Sequence, residues 1–85
     1  SDHDIRFNHS QFKHLVLNSK STFDIFQGLK AQDYTNLIIN YPKFNSWINT
    51  NFNVDDKEKI KTFFSQHTLI LFSKNDHDVF QLIVN

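Results

Sequence analysis

Residues 68–84, TLILFSKNDHDVFQLIV, constrain the fold more than any other stretch, because two apolar runs there flank six polar residues, SKNDHD. Upstream, apolar residues recur every three or four positions, the spacing of a helix with one buried face. At 68–84 that spacing stops. Short apolar runs around a polar cluster predict an antiparallel hairpin, with strands over 68–73 and 79–84. Alternation is poor in both strands, and Phe72, Val79, Phe80 and Leu82 are candidates to pack on helices.

The helices that would support such a hairpin can be placed from caps and stripes. DIRFN (4–8) alternates apolar and polar and predicts a short strand. Ser10 followed by Phe12, Leu15 and Val16 predicts a first helix over 10–18. Ser21 and Asp24 form a capping pair ahead of Phe23, Phe26 and Leu29, with Gly28 inside the second helix. Asp33 is placed to cap a third helix, where Tyr34, Leu37, Ile38 and Tyr41 lie on one helical face until Pro42 ends it. Pro42 also suits the start of the next helix, with Phe44, Trp47, Ile48 and Phe52 inward, before turn-like NTNFN (49–53). Asp55 and Glu58 make another capping pair for a helix over 55–66 that buries Ile60, Phe63 and Phe64.

Eighty-five residues suit one domain, 1–85, and a chain this short needs an efficient core. Ten Phe, two Tyr and one Trp offer it. With no Cys there is neither a disulfide nor a thiolate metal site, which suits a reducing, intracellular compartment. Nine basic residues balance nine acidic ones, so the basic excess of a dedicated nucleic-acid binder is missing. No apolar run approaches the roughly 20 residues that span a bilayer, and no membrane partner is expected.

The order of three helices followed by a hairpin resembles a winged helix, in which the hairpin forms the wing after the third helix. DDKEKIKTFFSQHTLILFSKNDHDVFQLIV (55–84) resembles the last helix and wing of the winged-helix domain that ends the middle subunit of replication protein A. Related domains end a subunit of telomeric CST complexes. The resemblance covers 33–84 and rests on element order, on the I-x-x-F-F pattern of the last helix, and on an acidic N-D-H-D tip. Residues 1–32 are then an N-terminal helical elaboration. The fold class expected is α+β, mainly helical: a winged-helix-like three-helix core with a C-terminal hairpin and extra N-terminal helices. In a shifted version, helix 10–18 is the first element and 34–50 is distorted; a small helical bundle with a terminal hairpin is the remaining alternative. The resemblance implies a non-catalytic adaptor within a replication or telomere-associated assembly, in the nucleus.

Two sets of residues are candidate contacts. Lys74, Asn75, Asp76, His77 and Asp78 form the wing tip, an acidic surface suited to a protein partner such as a basic amphipathic helix. Any of Phe72, Phe80 or Trp47 left exposed would join them. The second set, Lys57, Lys59, Lys61 and Lys74, would serve nucleic acid through the 55–66 helix and the wing. Asp55, Asp56 and Glu58 lie at the end of that helix that meets bases and would repel phosphates, so nucleic acid is the second reading. Self-association as a structural terminal domain is a third.

Catalysis and cofactors are not expected. Gly28 is the only glycine, so no phosphate-binding loop exists, and Ser65 and His67 sit too close in sequence to meet as a catalytic pair. The five histidines are expected at the surface. His9 and His14 do not share a helical face, His3, His67 and His77 are scattered, and His77 between Asp76 and Asp78 offers only a loose oxygen–nitrogen set.

Overall fold

The computed structural model describes residues 9–83. Its elements run α1 (His9–Asn18), α2 (Thr22–Ala31), β1 (Asn36–Asn40), α3 (Tyr41–Asn51), α4 (Val54–His67), β2 (Thr68–Lys74) and β3 (His77–Leu82). The fold is α+β and mainly helical, with one antiparallel sheet ordered β1-β3-β2. The strand expected over 4–8 lies outside the described residues.

Local chemistry explains most boundaries. Ser21 caps α2, its hydroxyl accepting from the Asp24 N–H at 3.3 Å, while Asp24 Oδ2 accepts from the Lys20 N–H at 3.0 Å. Gly28 leaves room for Leu15 of α1; a Cβ there would run into the Leu15 side chain. The α4 cap is Asn53, not Asp55: its Oδ1 accepts from the Asp56 N–H at 2.8 Å. Asp55 and Asp56 fall in the first turn, where the positive end of the helix dipole favours them.

One expected helix does not form. Residues 36–40 are a strand, paired along their length with β3. Tyr34, Leu37, Ile38 and Tyr41 fit helical spacing, but Leu37 and Ile39 also fit a period of two, and these two are buried. Pairing to β3 decides between the two periods. Asp33 caps nothing; it ends α2 with φ 65°. The Tyr34 N–H reaches the Leu29 carbonyl and the Asp33 N–H reaches Lys30, the two bonds of a Schellman ending. Asn40 is both the last residue of β1 and the cap of α3, accepting from the Lys43 N–H at 3.1 Å. The expected turn at 49–53 narrows to Phe52 and Asn53, because α3 runs on to Asn51.

With β1 in place, the helix that precedes the first strand is α2. It makes the broadest helix–helix contact in the fold, on α4. Neither the original nor the shifted placement of the first helix holds, because both treat 34–41 as helix or distorted helix. The helices and the inner sheet face enclose one aromatic core. Phe63, fully buried, lies 6.3 Å from Phe12, while Phe64 lies 5.9 Å from Phe44 and 4.9 Å from Phe80, ring centre to ring centre.

Among the described histidines, all expected at the surface, His67 is the exception. It is 7% exposed, stacked on Phe26 at 5.2 Å, with Nε2 3.3 Å from the Thr22 hydroxyl. Its imidazole joins the end of α4 to the start of α2, and α4 passes into β2 without a loop.

Candidate protein-binding groove

The hairpin turns at Asn75 and Asp76, between the paired residues Lys74 and His77. Asn75 has φ 56°, a left-handed conformation that asparagine tolerates better than most residues. The expected wing tip is therefore shorter than 74–78, because His77 and Asp78 belong to the central strand. The hairpin end is also fastened to the rest of the molecule. The Asp76 carbonyl accepts from the Tyr41 N–H at 2.9 Å, and His77 Nε2 lies 3.2 Å from Asn40 Nδ2. The Asp78 carboxylate accepts from the Tyr41 hydroxyl. Burial first, then that hydrogen bond and the carboxylate's charge, hold the Tyr41 phenol above its ordinary value.

The four lysines assigned to nucleic acid do not converge. Lys59 turns inward: Nζ donates to the carbonyls of Ser19 at 2.8 Å and Val16 at 3.1 Å, and lies 3.8 Å from Asp56. It thereby satisfies carbonyls at the C-terminal end of α1, where a cation is favoured. Lys74 stands at the hairpin end. Only Lys57 and Lys61 lie together, and the exposed side of α4 also carries Asp55 and Glu58.

Lys57 and Lys61 sit on the rim of a groove of about 620 Å³. From α3 come Phe44 and Ile48, from α4 Ile60 and Phe64, and from the sheet Ile39 and Phe80. Leu69 and Ile70 of β2 form its open side, with Tyr41 among the remaining lining residues. Among the described residues no carboxylate lines it. Lys57 Nζ donates to the neutral Asn49 Oδ1 at 3.1 Å and makes no ion pair among the described residues.

The open side comes from the position of β2. Four consecutive large apolar residues there stay exposed: Leu69 (55%), Ile70 (56%), Leu71 (51%) and Phe72 (59%). Ile70 pairs with Phe80 and so points to the helical side of the sheet, yet the helices leave it uncovered. A bulge then inserts Leu71. It places Phe72 opposite Val79, on the outer face shared with Ile38. In this sheet β2 is an edge strand, so one row of its backbone groups is unpaired among the described residues.

Sequence reasoning named Lys57 and Lys61 for nucleic acid and Phe72 as a contact only if exposed. Its expectation that Phe72 packs on the helices fails, since Phe72 is exposed on the outer face, and it missed Leu69, Ile70 and Leu71 as a surface. The signal was present: a run of apolar residues placed on an edge strand cannot all be buried. Of the other expected contacts, Phe80 is buried and Trp47 is partly buried, 4.7 Å from the His9 ring. Ser65 lines the groove while His67 points to Phe26, so the two do not face each other. Among the described residues no cluster of His, Asp or Glu could hold a metal ion, and no helix is long and apolar enough to cross a membrane. No protein-family model matches the chain, and no curated protein or solved structure matches it either.

Proposed function

We propose that this chain is a non-catalytic interaction module that receives an apolar-bearing peptide segment of a protein partner. The observation that carries the reading is the exposed run Leu69–Phe72 beside an apolar groove. Exposed apolar residues scattered singly are ordinary, but a contiguous set marks a binding surface. A groove of this size also suits a small molecule, but the apolar run extends past its edge onto the outer sheet face, which a polymer can follow and a small molecule cannot. A helix or strand laid against a groove or sheet edge is a common way for proteins to bind peptides.

Charge supports protein over nucleic acid. The chain is neutral overall, Lys59 is committed to α1, and carboxylates share the outer side of α4. The resemblance to the winged-helix domain of replication protein A and its telomeric relatives extends the proposal to an adaptor within a nuclear replication or telomere-maintenance assembly.

The test is a titration of isotope-labelled protein with segments of candidate partners. Shifts concentrated at Ile48, Phe64, Leu69 and Ile70 are the expected result. Duplex or single-stranded DNA binding that falls steeply with salt, with no peptide response, would reject the proposal.

A further inference from the structure

We infer that the groove takes an acidic amphipathic segment, with apolar side chains seated between α3, α4 and β2 and carboxylates facing Lys57 and Lys61. This rests on the reading of the groove as a protein-binding face. The reason is charge complementarity. Among the described residues the charged groups of the lining are two lysines one helical turn apart on α4, and no carboxylate accompanies them. Lys57 meets only a neutral amide, and Lys61 makes no ion pair or hydrogen bond among the described residues. Lys59, between them in sequence, is the lysine that is neutralised, by Asp56 and two carbonyls. A basic segment would set like charges against this rim; an acidic one would be drawn to it. The expected acidic wing does not alter the balance, since Asp78 is outside the lining and already accepts from Tyr41.

The probes are short peptides with Leu at i, i+3, i+4 and i+7. One carries Glu at the remaining positions, and a second carries Lys there. Binding is read from amide shifts at Phe64, Leu69 and Ile70. The Glu peptide is expected to bind about tenfold tighter than the Lys peptide at low salt, with the gap shrinking as salt rises. The double variant Lys57→Glu, Lys61→Glu changes exposed or half-exposed positions and should retain the native amide spectrum outside the groove; it should reverse the preference. Equal binding of both peptides, or a preference that survives the double variant, overturns the acidic assignment and leaves the groove as a protein-binding face. No response to either peptide overturns both. Dilution-dependent shifts of the same amides, with a dimer in sedimentation, make a second copy of the chain the occupant and overturn the acidic partner.

Discussion

The strands β2 and β3 belong to one hairpin and are buried in the reverse order of their hydrophobicity. TLILFSK carries four consecutive large apolar residues, and each of them is exposed. HDVFQL carries three, of which only Val79 and Phe80 are consecutive, yet it buries Phe80 and Leu82. Phe80 and Ile70 are direct partners on the same sheet face, at 6% and 56% exposure. The difference lies in topology. β3 is flanked on both sides and covered by the helices; β1, at one edge, is covered too, with Leu37 and Ile39 buried, whereas the β2 edge is left uncovered beyond Thr68. Burial here follows which part of the sheet the helices cover, and an apolar edge strand is an aggregation hazard that natural proteins blunt unless it has a use.

The largest effect that would break this comparison is on Phe80. Phe80→Ala should cost about 3–5 kcal/mol in chemical denaturation, close to the entire stability of a marginal domain this small. Ile70→Ala, at the opposing position, should cost less than about 1 kcal/mol. Equal losses at the two positions would mean that Ile70 is covered after all.

Next in size is the brace between α4 and α1. Lys59→Met keeps the aliphatic stem but removes the bonds to Val16 and Ser19, at a cost of about 1–2 kcal/mol. Lys61→Met on the same helix should leave stability within about 0.5 kcal/mol. A reversal would move the functional cation from Lys61 to Lys59.

Leu71→Ser, in the bulge, should also change stability by no more than about 0.5 kcal/mol, while weakening peptide binding. Substitutions that harm binding and spare folding are the pattern expected of β2 and not of β3.

The subtlest effect concerns pH. The Tyr41 phenol is raised in the folded chain, so folding favours its protonated form. Its contribution is complete below the unfolded value near 10 and is lost as pH climbs through the higher folded value. In a Tyr34→Phe background, ultraviolet titration should report a single tyrosine with a midpoint above 10.0. Asp78→Asn should lower that midpoint without restoring it fully, since burial is the larger cause.

Much of this architecture was legible in the sequence because it depends on neighbours in the chain. Ser21 before an apolar stripe, the Ile60, Phe63 and Phe64 stripe, and the polar break in 68–84 each reveal an element locally. What stayed hidden depends on distant residues. Leu37 and Ile39 become a strand because Phe80 and Asp78 lie beside them, and within 34–41 the helical spacing and the period of two compete without a local tie-break. Likewise, the direction of the Lys59 side chain is set by carbonyls of α1, not by its own helix. The groove was the least legible feature: Lys57 and Lys61 stood out as a charged pair, but the uncovered side of Ile70 follows only from where the helices lie over the sheet.

The central claim, that an apolar strand face stands open beside α3 and α4, is most directly tested by a soluble paramagnetic probe added to methyl-labelled protein. The methyl signals of Leu69, Ile70 and Leu71 should broaden strongly, while those of Leu37, Ile39 and Leu82 stay sharp. An Ile70 signal as protected as that of Ile39 would contradict the account.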